Sequence, residues 1–175
     1  YLPQNPNDLL FADSIDEELK ITLKNHSQTI NSINISEFLD HFGLAEKRNT
    51  YPRDLSVGER QRTALAAITA HDPKIIFLDE PSRGLDYDNK RSLSFLFHNW
   101  KKQGKSIVLA THDVEFAAQL ADRVIVLDKG KISFDGFPHD CFSNLQPFQT
   151  QTALLFPSSG WITPTDILFE TLKQR

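Results

Sequence analysis

Methionine is absent from this sequence, and cysteine occurs once, at Cys141. A lone cysteine excludes an internal disulfide framework and fits a reducing compartment. The lack of Met, the bulky Tyr1 in first place and a motif already under way in YLPQNP lead us to expect the later portion of a longer product. Long apolar runs are missing too: none approaches the roughly 20 residues that a spanning helix needs. Basic excess is missing. Lys and Arg number 19 against 23 Asp and Glu, a formal charge of −4, which leaves no electrostatic footprint for nonspecific nucleic-acid binding. No internal repeat, heptad pattern or low-complexity tract is present, so a long coiled coil is excluded. What remains is 175 residues, 39% hydrophobic and 24% charged, enough for one globular domain with a buried core.

The local pattern is α/β. Residues 1–12, rich in Pro and Asn, read as a loop. Asp13 or Ser14 is expected to cap a helix carrying Ile15, Leu19 and Leu23. Ser36 is expected to cap a second, with Phe38, Leu39 and Phe42 on one side and Gly43 after its end. HSQTINSIN between them reads as polar connection. A helix should run from Ser56 to about Ala70, ended by Asp72-Pro73. KIIFLDEP and SIVLATHD are short apolar runs, the pattern of strands buried on both faces. An amphipathic helix over 86–103, with Leu93, Leu96, Phe97 and Trp100, lies between them. A short helix over 114–121 follows, then RVIVL and KISFDG joined by Asp-Lys-Gly, a hairpin signal. A Pro- and Phe-containing tail from about 146 ends in a helix near 164–174. Strand, helix, strand, helix, hairpin argues for a mainly parallel core sheet.

Several residues can carry chemistry. Asp79 and Glu80 end the first apolar strand, where ligands bind in open α/β sheets. One carboxylate there can hold Mg²⁺ and the other can act as a general base; the alternative is a solvated acid pair that caps the next helix. His112 ends the second strand and can hydrogen-bond a phosphate or simply pack against the sheet end. Gln4, in its open loop, has an amide able to ligate Mg²⁺ and to orient water. Asp86, in SRGLD, suits a helix cap. In DLSVGERQR, Ser56 and Glu59 fit the capping box S-x-x-E, and the same helix start, with its bare Gly58, suits an anion. Composition leaves these two readings open.

Taken in order, LPQNP, LSVGERQR, IIFLDEP, SRGLD and THD resemble the Q-loop, signature motif, Walker B segment, D-loop and H-loop of the ATP-binding cassette of ABC transporters. The resemblance covers residues 1 to about 145. It implies a P-loop NTPase-like parallel sheet with a helical subdomain and with the N-terminal part missing. Residues 1–72 would hold the Q-loop, the helical subdomain and the signature helix; 73–145 the Walker B and H-loop core; and 146–175 a C-terminal tail. It further implies ATP and Mg²⁺ as cofactors, with Asp79 and Gln4 on the metal, Glu80 as general base and His112 on the γ-phosphate. Ser56, Gly58 and Glu59 would meet nucleotide held by a second cassette, and Asp86 would cross the dimer interface. Val57 and Glu59 depart from the common LSGGQ, while Ser56 and Gly58 are retained. QNPNDLLFADSIDEEL and PRDLSVGERQR are most similar to energy-coupling-factor and cobalt-type importer ATPases, which take up vitamins or transition-metal ions. LLFPSSGWITPTDIL resembles the end of the second cassette in fused double ATPases. Partners so implied are a second cassette and a transmembrane coupling subunit, at the cytoplasmic face of the membrane, with no nucleic acid.

One element is missing from the pattern. The phosphate-cradling G-x-x-x-x-G-K-[ST] does not occur. In QGKSIV, the closest substitute, the first Gly would fall at Asn99, and the segment leads into a strand where a P-loop opens a helix. It reads as a helix-to-strand turn. We therefore expect this chain alone to be inactive. Two further readings stay open: a soluble ABC ATPase acting on nucleic acid or ribosomes, and a non-catalytic remnant that offers only its signature motif to a partner.

Overall fold

The structure, a computed structural model, describes residues 1–26 and 34–173. It divides into two compact units, Tyr1–Ala110 and Thr111–Arg175.

In the first unit, Ser14 caps α1 (Ile15–Asn25) by accepting the Glu17 amide, and Ile15, Leu19 and Leu23 are buried along one face. Asp16 is buried with both Lys20 and Arg48 on its carboxylate, each at 2.5 Å. Burial works to raise its pKa, but those two cations outweigh it and hold the carboxyl below the usual range. Glu18, also buried, accepts the Phe11 and Ala12 amides at 2.9 Å and so fixes the loop entering the helix. The second helix, α2 (Ile35–Asp40), is capped by Asn34 and not by the expected Ser36. Asn caps as well as Ser, and starting earlier brings Ile35 into the buried face. HSQTINSIN falls almost wholly outside the described residues. Phe42 lies against Trp100 at 6.4 Å between centroids, and Trp100 stacks on Phe97 at 5.5 Å, which joins this region to α4 (Tyr87–Lys102).

Helix α3 (Val57–Thr69) leads to β1 (Ile75–Asp79), which pairs in parallel with β2 (Ser106–Ala110), register Asp79↔Ala110. The expectation of two-sided burial is corrected here. Ile76 and Leu78 are buried, but Ile75 is 58% exposed, and Phe77 and Val108 are each 50% exposed. Among the described residues, the face of β1 that carries Ile76 and Leu78 is the packed one. The opening residues are more than loop: Leu2 bridges in parallel to Leu78, and a 3₁₀ turn spans Pro6–Asp8. Gly104, with φ 79°, turns α4 into β2, and Lys105 is tied to Asp72, as a helix-to-strand turn requires.

The second unit starts with α5 (Val114–Leu120), followed by the antiparallel pair β3 (Val124–Asp128) and β4 (Lys131–Gly136). Lys129 and Gly130, both at positive φ, make the hairpin turn. The hairpin is a separate two-stranded sheet and does not extend the parallel pair. Helices α6 (Pro138–Asn144) and α7 (Gln151–Leu155), neither expected, and α8 (Pro164–Lys173) complete the unit. Ala118, Val126, Cys141 and Phe142 form its core, with Phe148 and Ile162 of the tail packed on them.

Candidate functional site

Strand β1 fixes the first group of candidate residues. Leu2 donates to the Phe77 carbonyl at 2.8 Å and accepts the Asp79 amide at 3.0 Å. The opening segment thus runs beside β1 in the same direction, and Gln4 leaves from the same end as Asp79 and Glu80. Gln4 is exposed; the two acids are half-buried. The Tyr1 hydroxyl donates to Asp79 at 3.3 Å. Glu80 donates its amide to the Ala110 carbonyl at 2.8 Å and sits at φ 47°, in the left-handed region that a non-glycine residue rarely adopts. Such backbone persists where the surroundings hold it, and it is found disproportionately at functional sites.

The second group lies at the start of α3. The Ser56 hydroxyl accepts the Glu59 amide at 3.3 Å, and the Glu59 carboxylate accepts the Ser56 amide at 2.8 Å, a complete capping box. Glu59, expected near nucleotide, also faces Lys47 at 3.6 Å. The Ser56 amide first, then its hydroxyl, then Lys47 hold its carboxyl below the usual range. Arg60 clasps the loop before the helix, donating to the Leu55 carbonyl at 2.6 Å and the Arg53 carbonyl at 3.2 Å.

Asp86 caps α4, accepting the Asn89 backbone amide and the Asn89 side-chain amide, each at 2.9 Å. Those two bonds, with Arg62 adding a smaller attraction, keep Asp86 ionised below the usual range. Asn89 was not singled out from sequence. Its contacts with Arg62 and Gly58 join positions about 30 apart, and no local pattern signals them. His112 stands in the second unit, exposed, in the turn Thr111–Asp113 that caps α5. Asp79, Glu80, Gln4, Ser56, Gly58, Glu59 and Asp86 all belong to the first unit.

The oxygen donors at the end of β1 suit a hard cation. Among the described residues no cluster of three or more His, Cys, Asp or Glu is preassembled. Mg²⁺ ordinarily takes only one or two protein carboxylates and fills its octahedron with water and substrate phosphate, so Asp79 with the Gln4 amide fits that ion.

Residues 1–83 match the ABC transporter family model. A putative ABC transporter ATP-binding protein of Streptomyces avermitilis is 38% identical over 95% of this chain and 29% of its own length. The energy-coupling factor transporter ATP-binding protein EcfA2 of Thermotoga maritima is 36% identical over 76% of this chain and 51% of its own length. The solved structure of cbiO1 from Clostridium perfringens, part of the ABC transporter complex cbiONQ, superposes with a TM-score of 0.68 at 26% identity, covering 81% of this chain and 57% of that one. The chain spans from under a third to about half of the length of these relatives.

Proposed function

Because residues 1–83 match the ABC transporter family model, we propose that the chain is a portion of an ATP-hydrolysing subunit of an ABC importer. In this reading the full protein couples MgATP hydrolysis to uptake of a vitamin or metal ion. The cassette comprises residues 1–145, with 146–175 a C-terminal tail. The observation that carries the reading is that the segment holding Gln4 leaves β1 at the end where Asp79 and Glu80 sit, with Glu80 held at an unusual backbone angle. Asp79 and the Gln4 amide would hold Mg²⁺, which would supply neutralisation of phosphate charge. Glu80 accepts the proton of the attacking water, and His112 donates to the γ-phosphate. Ser56 and Gly58 present the capped start of α3 to phosphate on a second cassette, and Glu59 keeps that start in shape. Asp86 reaches across the same interface.

The transmembrane partner docks where the loop after Gln4 meets α1. A depression of about 280 Å³ lies there, lined by Phe11, Ala12, Glu17 and Ile21, and Phe11 is 79% exposed. Among the described residues no helix is long and apolar enough to cross a membrane, and the reading places the subunit peripherally at the cytoplasmic face.

The test is Glu80→Gln in the full-length protein. The substitution keeps size and hydrogen bonding but removes the base. Turnover should fall by about 10²–10⁴-fold, with the ATP-bound dimer accumulating on size exclusion. Unchanged turnover removes Glu80 from the base role.

A further inference from the structure

Two segments of the first unit, Ser56–Arg60 and Ser82–Asp86, are far apart in sequence and lie against each other. Val57 sits 3.7 Å from where a side chain on Gly84 would begin. Gly58 is buried under the Asn89 amide: a Cβ at Gly58 would meet Asn89 Oδ1 at 2.8 Å, closer than real Cβ atoms come. One turn further along α3, Arg62 Nη1 donates to the same Oδ1 at 2.5 Å. On its other side, the Asn89 amide nitrogen donates to Asp86 at 2.9 Å. The chemistry fixes which way this amide points. A guanidinium can only donate and a carboxylate can only accept, so the oxygen must face Arg62 and the nitrogen Asp86. A carboxylate in place of this amide would set two acids together, and an ammonium would set two cations together. Arg62 Nε is buried without a hydrogen bond, so the bond to Asn89 anchors its head.

We propose that Asn89 is a positioning residue that locks the start of α3 to the Asp86 turn, so that Ser56, Gly58 and Asp86 meet a partner cassette's nucleotide as one rigid surface. The proposal rests on the function given above. Its physical content is a link between two helix starts. Without it the two starts would lose the hydrogen bonds that tie them and keep only the looser Val57–Gly84 contact between them, so each would adjust to the partner more freely, at an entropic cost to assembly.

The test uses the full-length protein, with Asn89→Ala and the exchanged pair Asp86→Asn/Asn89→Asp. In the exchanged pair the amide now at position 86 still caps α4 and donates, while the carboxylate now at position 89 accepts from both that amide and Arg62. The first measurement is hydrogen exchange without nucleotide, read at Glu59 and Arg60 in one segment and at Asn89 and Lys90 in the other. Asn89→Ala should speed exchange in both segments together, and the exchanged pair should restore both. Faster exchange confined to positions 89 and 90 overturns the link, because loss of a local cap would do only that. The second measurement is the ATP concentration that half-assembles the dimer. It should rise about tenfold in Asn89→Ala, within the range of coupling between contacting residues. Assembly of Asn89→Ala at the wild-type concentration overturns the positioning role. Wild-type protein with linked exchange but no ATP-driven assembly overturns the proposed function and leaves the link standing.

Discussion

The Ser56 hydroxyl already accepts the Glu59 amide, yet the functional reading asks the same residue to face phosphate. The two demands are compatible because capping uses a lone pair, and the hydroxyl proton, which faces the Glu59 carboxylate, can turn to an arriving phosphate. They are also separable by substitution. Ser56→Ala removes the cap and should cost about 1 kcal/mol in urea unfolding. Ser56→Asp keeps a side-chain acceptor at a position where Asp caps as well as Ser, so stability should hold to within about 0.5 kcal/mol. The carboxylate, however, would repel an incoming phosphate, and ATP-driven assembly of the full-length protein should be lost in Ser56→Asp despite the intact fold. Assembly at wild-type ATP concentration would leave Ser56 as a cap alone. At this scale the sequence was most legible where the interaction is local. The S-x-x-E spacing announced the capping box, and Asp86 announced its cap. Asn89 was invisible because its value comes from Arg62 and Gly58, about 30 residues upstream, and nothing in DYDNK hints at them.

Among the elements, helices with one strongly apolar face were readable, and α1, α3 and α4 lie where their periodicity put them. Strand burial was not readable. IIFLD and SIVLA have the composition of two-sided burial, but a strand's outer face is covered only if another layer arrives, and that is a property of the rest of the fold. The unexpected α6 and α7 are short, and α6 owes its burial to the hairpin cluster through Cys141 and Phe142. The joint between α1 and α3 carries a pH dependence that sequence could not show. His26, just past α1, stacks on His71, just past α3, with ring centroids 3.7 Å apart and planes within 2°. Burial first, then the His26 ring, with Lys105 adding to them, push the His71 pKa down, against the pull of Asp72. The folded state therefore binds the proton less well than the unfolded chain does. The stability so gained is present above the ordinary histidine value of about 6.5 and is lost as pH falls below it towards the depressed one. Asp16, Glu59 and Asp86 stay ionised throughout this window, since all three are held below the usual carboxylate range. Urea midpoints should thus fall between about pH 7.5 and 5.5, and His71→Gln should flatten that slope. An equal slope in the variant would assign the effect to another group.

For the molecule as a whole, the ordered motifs made the cassette resemblance legible, while the division into two units after Ala110 was not. The cut falls between β2 and the turn holding His112, inside a motif that reads as continuous in sequence, because it is the hairpin cluster that gathers α5 and the tail. The same scale decides what this chain can do unaided. Phosphate affinity in such sites comes mainly from a loop of backbone N–H groups and a Lys, and no G-x-x-x-x-G-K-[ST] occurs in these 175 residues. The segment nearest to it is occupied otherwise, with Lys105 bound to Asp72 and the Pro73 carbonyl. In the proposed reading, what is present for nucleotide is acidic, Asp79 and Glu80 on β1, or serves phosphate held elsewhere, at Ser56 and Gly58. Two carboxylates without a cradle repel a triphosphate, and Mg²⁺ alone cannot recover the lost donors. Calorimetry of the isolated chain with MgATP should give no heat of binding up to ligand concentrations of about 1 mM, equivalent to less than about 4 kcal/mol of affinity. Micromolar binding would overturn this, and it would require a phosphate site built from residues other than a P-loop.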